Sequence, residues 1–304
     1  MDYLLLQMLN GVQLGLLMFL LAAGLTLTFG IMDLVNLAHG SLYMMGAYIA
    51  WTTISWTDSF VLGALLALPA IFVLGLIVES VVARQLYARN HLDQVLATFG
   101  LILFFNELVR VIWGPAGKSI AVPTFLNRTV EILPSVPYPA YRFAIIVVGA
   151  AVAILLAWLV ARTRIGMLIR AGASNRRMIG ALGVNIELLF SLVFGLGAVF
   201  AGLAGLMAAP ITSVKIGMGD DILILAFVII VIGGIGSIKG AFIAAMVVGQ
   251  IDIVGRAFLP DLLKTFLSAS AASSAAPAIS QVLVYVVMAG VLVWRPTGLF
   301  GQRT

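Results

Sequence analysis

Two polar residues, Asn36 and His39, interrupt an apolar stretch that reads FGIMDLVNLAHGSLYMMGAYIA over residues 29–50. Histidine can carry a proton near neutral pH, and an amide both donates and accepts hydrogen bonds. Such groups inside an apolar segment need partners or water, so we interpret them as candidates for contact with a polar ligand or a hydrated cavity. Without a chain of buried acidic residues, one histidine is weak support for a proton carrier.

Other residues that could do chemistry do not assemble into a site. The hexapeptide GPAGKS at 114–119 resembles a phosphate-binding loop, but the position five before Gly117 is Ile112, and no strand precedes it. His39 and His91 lack a neighbouring acidic cluster, and the chain has no cysteine, so we expect no metal site. No nucleophile, base and orienting group come together. We therefore predict that the chain is not an enzyme and binds no cofactor of its own.

Three carboxylates, Glu79, Glu107 and Asp252, fall near the ends of apolar segments. Solvation at the membrane interface explains carboxylates in such positions, and a buried functional role is the alternative. The pair Asp220–Asp221 lies at a segment boundary, where we expect it to be solvated.

The composition defines the class of protein that must position these residues. Of 304 residues, 62% are hydrophobic and 10% are charged, whereas a soluble domain carries about 25% charged residues. Uncharged runs of roughly 17 to 30 residues recur, each long enough to cross a bilayer as a helix. We predict an all-α integral membrane protein, a polytopic helical bundle that forms one transmembrane domain over residues 1–304. The net charge of +5 then reflects basic cytoplasmic loops rather than binding of nucleic acid.

The basic loops set the predicted topology, with about eight or nine transmembrane segments. The arginine-rich connection at 162–187 stays in the cytoplasm, together with 83–93. The connection at 113–141 and Met1 are then extracytoplasmic. The predicted segments are 4–30, 36–57, 60–83, 94–112, 142–161, 188–209, 221–236, 238–255 and 279–295.

Two connections have an unusual composition. The extracytoplasmic loop 113–141 contains five prolines, which favours an extended loop without helix or sheet ladders, and we interpret it as a contact surface for an outside partner. The Ser/Ala-rich stretch at 268–278 is interpreted as an outside linker or a short helix.

Two predicted segments are interrupted by glycine and polar residues, at 29–50 and at 231–246. Each contains a Gly-Ser pair shortly before a Gly-Ala-aromatic-Ile-Ala run. We interpret this as a weak internal duplication, with chance similarity among Gly/Ala-rich membrane helices as the alternative. Broken helices in corresponding positions of two halves indicate a transport site.

Five arginines fall within the sixteen residues 162–177. The pattern predicts a short amphipathic helix, one face of which is formed by Ala171, Asn175, Met178 and Leu182. Such a helix at the cytoplasmic surface suits docking into the groove of a partner. Topology anchoring by the arginines alone is the alternative.

Four stretches carry a resemblance to a known family: NLAHGSLYMMGAYIA, RTRIGMLIRAGASNRRMIGALGVN, GGIGSIKGA and RPTGLFG. Together they resemble the permease subunits of branched-chain amino-acid ABC importers, the LivH-like family, from about residue 10 to the C-terminus. The wider family also imports urea, short-chain amides and aromatic acids, so the cargo stays open.

The resemblance implies roles for two groups of residues. The arginine loop would be the coupling helix that contacts an ATPase, and its GALG at 180–183 lies where ABC importers carry the EAA…G element, although the initial acidic residue has no obvious counterpart. The implied coupling residues are Arg170, Asn175, Arg176, Arg177, Gly180 and Gly183. The expected substrate-pathway residues are Asn36, His39, Ser41, Tyr43, Met44 and Ser237.

The resemblance also implies partners. These are a homologous second permease, two cytoplasmic ABC ATPases that use ATP and Mg²⁺, an extracytoplasmic solute-binding protein and the lipid of the bacterial inner membrane. The predicted function is import of a small amino acid, most simply a branched-chain one. The alternatives are a stand-alone secondary transporter or channel for small neutral solutes, for which Asp33 is weak support, and a membrane enzyme or scaffold.

Overall fold

The computed structural model describes residues 2–133, 136–174 and 176–301, and these residues are predominantly helical. The helices are α1 (Asp2–Met32), α2 (His39–Thr57), α3 (Phe60–Leu86, with a π-helical turn at Glu79–Ala83), α4 (His91–Trp113), α5 (Ala140–Arg162), α6 (Arg164–Ser174), α7 (Arg176–Ala181), α8 (Ile186–Ala208), α9 (Met218–Gly233), α10 (Ile238–Leu263) and α11 (Ala269–Trp294). Five of these helices have an N-cap side chain that accepts a backbone hydrogen bond: Ser59, Asn90, Asn185, Ser237 and Ser268.

The predicted all-α membrane fold is confirmed. Within the described ranges, seven helices are long and apolar enough to cross a membrane: α1, α3, α4, α5, α8, α10 and α11. The remaining two of the nine predicted segments correspond to α2, with 19 residues, and α9, with 16. Both begin inside the bundle rather than at its surface.

The first predicted interruption is a break between α1 and α2. The chain leaves α1 at Asp33, which has a φ of 53°, in the left-handed region. The side chain of Gln94 accepts a hydrogen bond from the backbone N–H of Val35 at 3.0 Å, so α4 supplies a partner that the broken helix lacks. The ring nitrogen Nε2 of His39 lies within hydrogen-bonding distance of the Leu21 carbonyl oxygen. Leu21 lies about 16 Å before Met32, the last residue of α1, along the axis of that helix. The chain has therefore returned to the middle of the bundle before α2 begins.

The second interruption lies between α9 and α10 and is closed by the C-terminal segment. Gly234 and Gly236 both have positive φ, at 97° and 79°, which glycine adopts without strain. The backbone N–H groups of Leu299 and Phe300 donate to the last carbonyls of α9, at 2.9 and 3.0 Å. The stretch RPTGLFG thus caps the C-terminal end of α9.

The helices are arranged as two halves of opposite direction. Helices α1 and α8 are antiparallel and cross at Gly24 and Gly197, where a Cβ on Gly197 would lie 3.2 Å from the Gly24 carbonyl oxygen. Helix α1 of the first half packs on α10 of the second, and its counterpart α8 in the second half packs on α3 of the first. The N-terminal ends of α2 and α9 meet at Gly40 and Gly219, where a Cβ on Gly40 would lie 2.9 Å from the Gly219 carbonyl carbon. Helices α1–α4 and α8–α11 thus form an inverted repeat.

This arrangement corrects the predicted duplication. Both interrupted stretches are real breaks, but the stretch 29–50 does not correspond to 231–246. The structural counterpart of α2 is α9, which begins after Gly217, and not α10. The shared glycines have a packing role instead, because a Cβ on Gly40 would lie 2.9 Å from the Gly219 carbonyl carbon and one on Gly240 would lie 3.0 Å from the Gly233 Cα.

The loop 113–141 is more ordered than its prolines predict. It contains a 3₁₀ turn at Thr124–Leu126 and an antiparallel pair, β1 (Thr129–Leu133) and β2 (Val136–Pro139). The prediction that proline prevents a sheet is wrong. Each strand of this two-stranded sheet pairs on one side only. Pro137 and Pro139 occupy alternate positions of β2, where the backbone nitrogen is not needed for a ladder hydrogen bond. The Ser/Ala-rich stretch is also helical and forms the first turns of α11, as alanine favours.

Candidate translocation and coupling sites

Five of the six predicted substrate-pathway residues come together at the first break. Asn36 lies in the segment before α2, and the other four lie in its first two turns; the group is Asn36, His39, Ser41, Tyr43 and Met44. All are buried within the chain, with His39 at 0% and Asn36 at 1% exposure. The site is therefore closed in this conformation.

The break contains polar atoms without partners. The His39 Nε2 lies 3.1 Å from the Leu21 carbonyl oxygen, so this nitrogen donates and Nδ1 is left as an acceptor. Among the described residues, none is hydrogen-bonded to His39 Nδ1, Asn36 Nδ2 or Ser41 Oγ. Each such buried group costs about 1–3 kcal/mol. The break thus holds donors and acceptors that a zwitterionic or polar ligand could satisfy.

Backbone geometry adds a partial positive charge at the same place. Ala38 begins α2 without a side-chain cap, so the first N–H groups of the helix have no side-chain partner at their N-cap. The N-terminus of α9 meets that of α2 at Gly219. Two helix N-termini at mid-depth, at the junction of an inverted repeat, form the arrangement in which transporters bind anionic groups of their cargo.

Close packing holds the His39 ring in place. A Cβ on Gly24 would lie 2.8 Å from the Cε1 of His39 and 2.6 Å from the Gly197 carbonyl oxygen. The ring therefore sits where α1, α2 and α8 meet. Small residues at this crossing let three backbones approach, and any change in the angle between α1 and α8 moves the ring.

Ser237 does not belong to this group. It lies at the second break, where its side chain accepts a hydrogen bond from the Gly240 N–H at 3.1 Å and begins α10. Its hydroxyl has the ordinary role of a helix cap, so the structure separates it from the other predicted pathway residues.

The arginine-rich loop forms two short helices, α6 and α7, rather than the single predicted one. The buried positions of this loop include Ile169 and Ile179, whereas Met178 is 59% and Leu182 is 76% exposed. The predicted Ala171/Met178/Leu182 face is thus an exposed apolar face and not the one that packs on the bundle. Asn175 lies outside the described residues.

The other predicted coupling residues lie on α6, on α7 and at the end of the loop. The backbone of Arg176 and Arg177 begins α7, and Gly180 is exposed at its end. Gly183 ends the loop with a φ of 85°, which favours glycine. Arg170 on α6 is exposed and faces a groove beside α5.

A buried carboxylate that sequence analysis misjudged connects this loop to the bundle. Glu79, predicted to be interfacial, has a side chain only 1% exposed and lies in the π-helical turn of α3. Its oxygens accept hydrogen bonds from Arg84 (3.1 Å), Tyr87 (2.9 Å) and Ser191 (2.7 Å). Arg84 also pairs with Glu187 at 3.4 Å. The first turns of α8, directly after the arginine-rich loop, are therefore fastened to α3.

The sequence holds only a partial signal for the site around Glu79. Glu187 and Ser191 lie four residues apart on one face of α8, and Arg84 lies five residues after Glu79. The five-residue spacing matches a π-helical turn and not an α-helical one, so an α-helical pattern search misses it.

A pocket of about 480 Å³ lies between the α2–α3 turn and residues 119–125, on the side of the bundle that is predicted to be extracytoplasmic. The loop that borders it is held to the bundle. The backbone of Lys118 pairs with Val214, and its ammonium lies 5.0 Å from the centre of the Trp51 ring. The proline-rich loop is thus a fixed surface that could receive an outside partner.

Comparisons with known proteins agree over nearly the whole chain. A family model described as branched-chain amino acid transport system / permease component matches residues 7–292. The permease protein BraD of a high-affinity branched-chain amino acid transport system, from Pseudomonas aeruginosa, is 29% identical over 97% of this chain and 95% of its own length. LivH of Escherichia coli is 28% identical over 99% and 96%, and a probable LivH of Methanocaldococcus jannaschii is 28% identical over 94% and 89%. No solved structure matches the chain.

Proposed function

The chain belongs to the family of permease components of branched-chain amino acid transport systems, and we propose that it forms the membrane pathway through which an ABC importer delivers a branched-chain amino acid. It is a multi-pass protein of the cytoplasmic membrane and a transport subunit rather than an enzyme. The observation that carries the proposal is the family match over residues 7–292, which includes both broken helices and the arginine loop.

The substrate class rests on the relatives and on the chemistry of the break. BraD and LivH are named for branched-chain amino acid transport. The break between α1 and α2 adds unpartnered polar atoms of Asn36, His39 and Ser41 next to apolar Met44 and Leu42. This combination suits a zwitterion with an aliphatic side chain. A stand-alone secondary transporter is not favoured.

The remaining components of the importer are part of the proposal. A homologous second permease completes the pathway, and a solute-binding protein delivers the amino acid to the outer surface formed by residues 113–141. Two cytoplasmic ATPases bind ATP and Mg²⁺, and this chain needs no cofactor of its own. The exposed apolar residues Met178 and Leu182 support docking of α7 into an ATPase groove.

Movement would pass from the ATPases to the closed site through α8. This helix begins three residues after Gly183, is fastened to α3 at Glu79, and crosses α1 and α2 next to His39. A shift of the coupling loop therefore moves the helix that covers the pathway residues.

The assembly is tested by purifying the chain from its native membranes in a mild detergent and identifying the bound proteins by mass spectrometry. We expect two ABC ATPase chains and a second permease to be recovered with it. Recovery of the chain alone, intact and still able to transport in liposomes, would reject the importer and favour the secondary transporter.

Reversing the charge of Arg176 and Arg177 together, each to Glu, is expected to lower uptake at least about tenfold, because two like charges placed against a partner surface that complements arginine cost about 1.4 kcal/mol or more. Uptake is measured in cells with equal amounts of inserted protein. Arg89→Glu, which reverses an exposed charge in the cytoplasmic loop 83–93 and outside the arginine-rich loop, is the control. Equal uptake by the double variant and the control would show that the arginines only anchor the topology.

A further inference from the structure

A groove of about 800 Å³ opens on the side of the bundle between α1, α5, α6 and α10. Its lining is almost entirely apolar, and the residues that form its walls include Phe19, Ala153, Ile154, Ala157, Phe242 and Ile243. None of the residues that form the break at His39 lines it. The groove is therefore separate from the proposed translocation site.

The groove lies in the cytoplasmic half of the bundle. On α5 it runs from Ala153 to Ala161, one residue before the cytoplasmic end of that helix, a rise of about 12 Å. On α10 it begins at Ile238, the first residue of the helix. These positions correspond to the inner leaflet of the membrane, from its headgroups towards its centre.

Two cations, Arg170 and Lys239, lie at the cytoplasmic end of the groove. Both are exposed, and across the described part of the chain neither has a carboxylate within 4.0 Å or a hydrogen-bond partner. Among the described residues that line the groove, none is acidic. An apolar channel thus ends at two unpaired positive charges at headgroup depth.

We propose that this groove binds one anionic phospholipid of the inner leaflet, with an acyl chain against α5 and α10 and the phosphate between Arg170 and Lys239. The charge of the two cations complements a lipid phosphate, and long cationic side chains reach the headgroup level from an apolar surface. A neutral protein helix in the same groove would leave both cations without an anion beside hydrocarbon.

The position of the lipid has a mechanical consequence. Arg170 belongs to α6, the first helix of the coupling loop, and Phe300, whose N–H caps α9, also lines the groove. A bound lipid would brace the coupling loop against α5 and against the second break. Arg170 then acts through the lipid and not by direct contact with an ATPase, which revises the role that sequence resemblance implies for it.

The test measures lipid that remains bound to the purified assembly of this chain with its partners. The assembly is incubated with dioleoyl phosphatidylglycerol or dioleoyl phosphatidylcholine and analysed by native mass spectrometry. We expect the variant with Arg170→Gln and Lys239→Gln to retain at least fivefold less phosphatidylglycerol, with little change for phosphatidylcholine. Arg89→Gln, which removes an exposed cytoplasmic cation outside the groove, is the matched control and should retain the lipid.

A second variant keeps both cations and fills the groove. Ala157→Trp places a large ring on the wall formed by α5 and should lower phosphatidylglycerol binding to a similar extent. Equal retention of phosphatidylglycerol by both groove variants and the control would overturn the proposal. A photoreactive amino acid at position 157 that crosslinks to the second permease, and not to lipid, would also overturn it and assign the groove to the subunit interface.

Discussion

Replacing Glu79 with alanine is expected to lower the free energy of unfolding by about 1–3 kcal/mol, the usual cost of removing a buried hydrogen-bonding group from its partners. The carboxylate is held by Arg84, Tyr87 and Ser191 in the π-helical turn of α3. Its removal takes one acceptor from the guanidinium and from two hydroxyl groups, and leaves the start of α8 held by the more exposed contacts of Arg84 with Glu187 and Ser191. Reversible denaturation in mixed micelles with increasing dodecyl sulfate measures the change.

The matched control for this substitution is Glu107→Ala. Glu107 also pairs with an arginine, Arg110, at 2.8 Å, but both side chains are more than half exposed. An exposed pair contributes about 0–1 kcal/mol, so the control should be nearly neutral. A double variant with Glu79→Leu and Arg84→Leu should recover part of the stability, since it replaces the pair with apolar side chains, and Glu187, which it unpairs, has a side chain 73% exposed. If Glu79→Ala and the control had equal effects, Glu79 would not fasten α8.

Replacing His39 with leucine is expected to reduce uptake at least about tenfold while the amount of assembled protein stays near normal. The substitution removes the unpartnered Nδ1 and the contact between Nε2 and the Leu21 carbonyl at 3.1 Å. A hydrogen bond to a charged cargo in a water-poor site contributes about 1.5–3 kcal/mol, which corresponds to at least a tenfold change in rate. Uptake of labelled leucine, normalised to protein in the membrane, measures the effect.

Ser280→Ala is the control for the His39 variant. Its hydroxyl is buried in α11 and, within the described ranges, lacks a hydrogen-bond partner, but it lies far from the break between α1 and α2 along the chain and on another helix. The control tests whether loss of any buried polar atom lowers uptake. If the His39 variant lost protein and uptake in the same proportion, His39 would be a packing residue.

Much of the fold follows from the sequence because hydrophobicity and capping act locally. Runs of apolar residues predict nine segments, and the structure contains a helix at each. Ser and Asn caps such as Asn185 and Ser237 fix where several of them begin. The first break could be located because Asn36 and His39 are too polar for an uninterrupted span. The basic loop 162–187 was also placed correctly as a separate element between two spanning helices.

What the sequence did not predict depends on contacts between distant helices. The pairing of α2 with α9 rests on Gly40 and Gly219, and two glycines carry no signal of their partner. The burial of Glu79 depends on Arg84 and on Ser191, more than one hundred residues away. Ile179 and Met178 are adjacent and equally apolar, so only the packing of α7 decides which of them is buried.

The central claim is that this chain carries a branched-chain amino acid only as part of an ATP-driven assembly. The most direct test is to reconstitute the chain with its second permease, two ATPases and solute-binding protein in liposomes and to measure uptake of labelled leucine. We predict accumulation against a concentration gradient that requires ATP hydrolysis and the binding protein. Equal leucine transport by the chain alone, without ATP or any partner, would contradict the account.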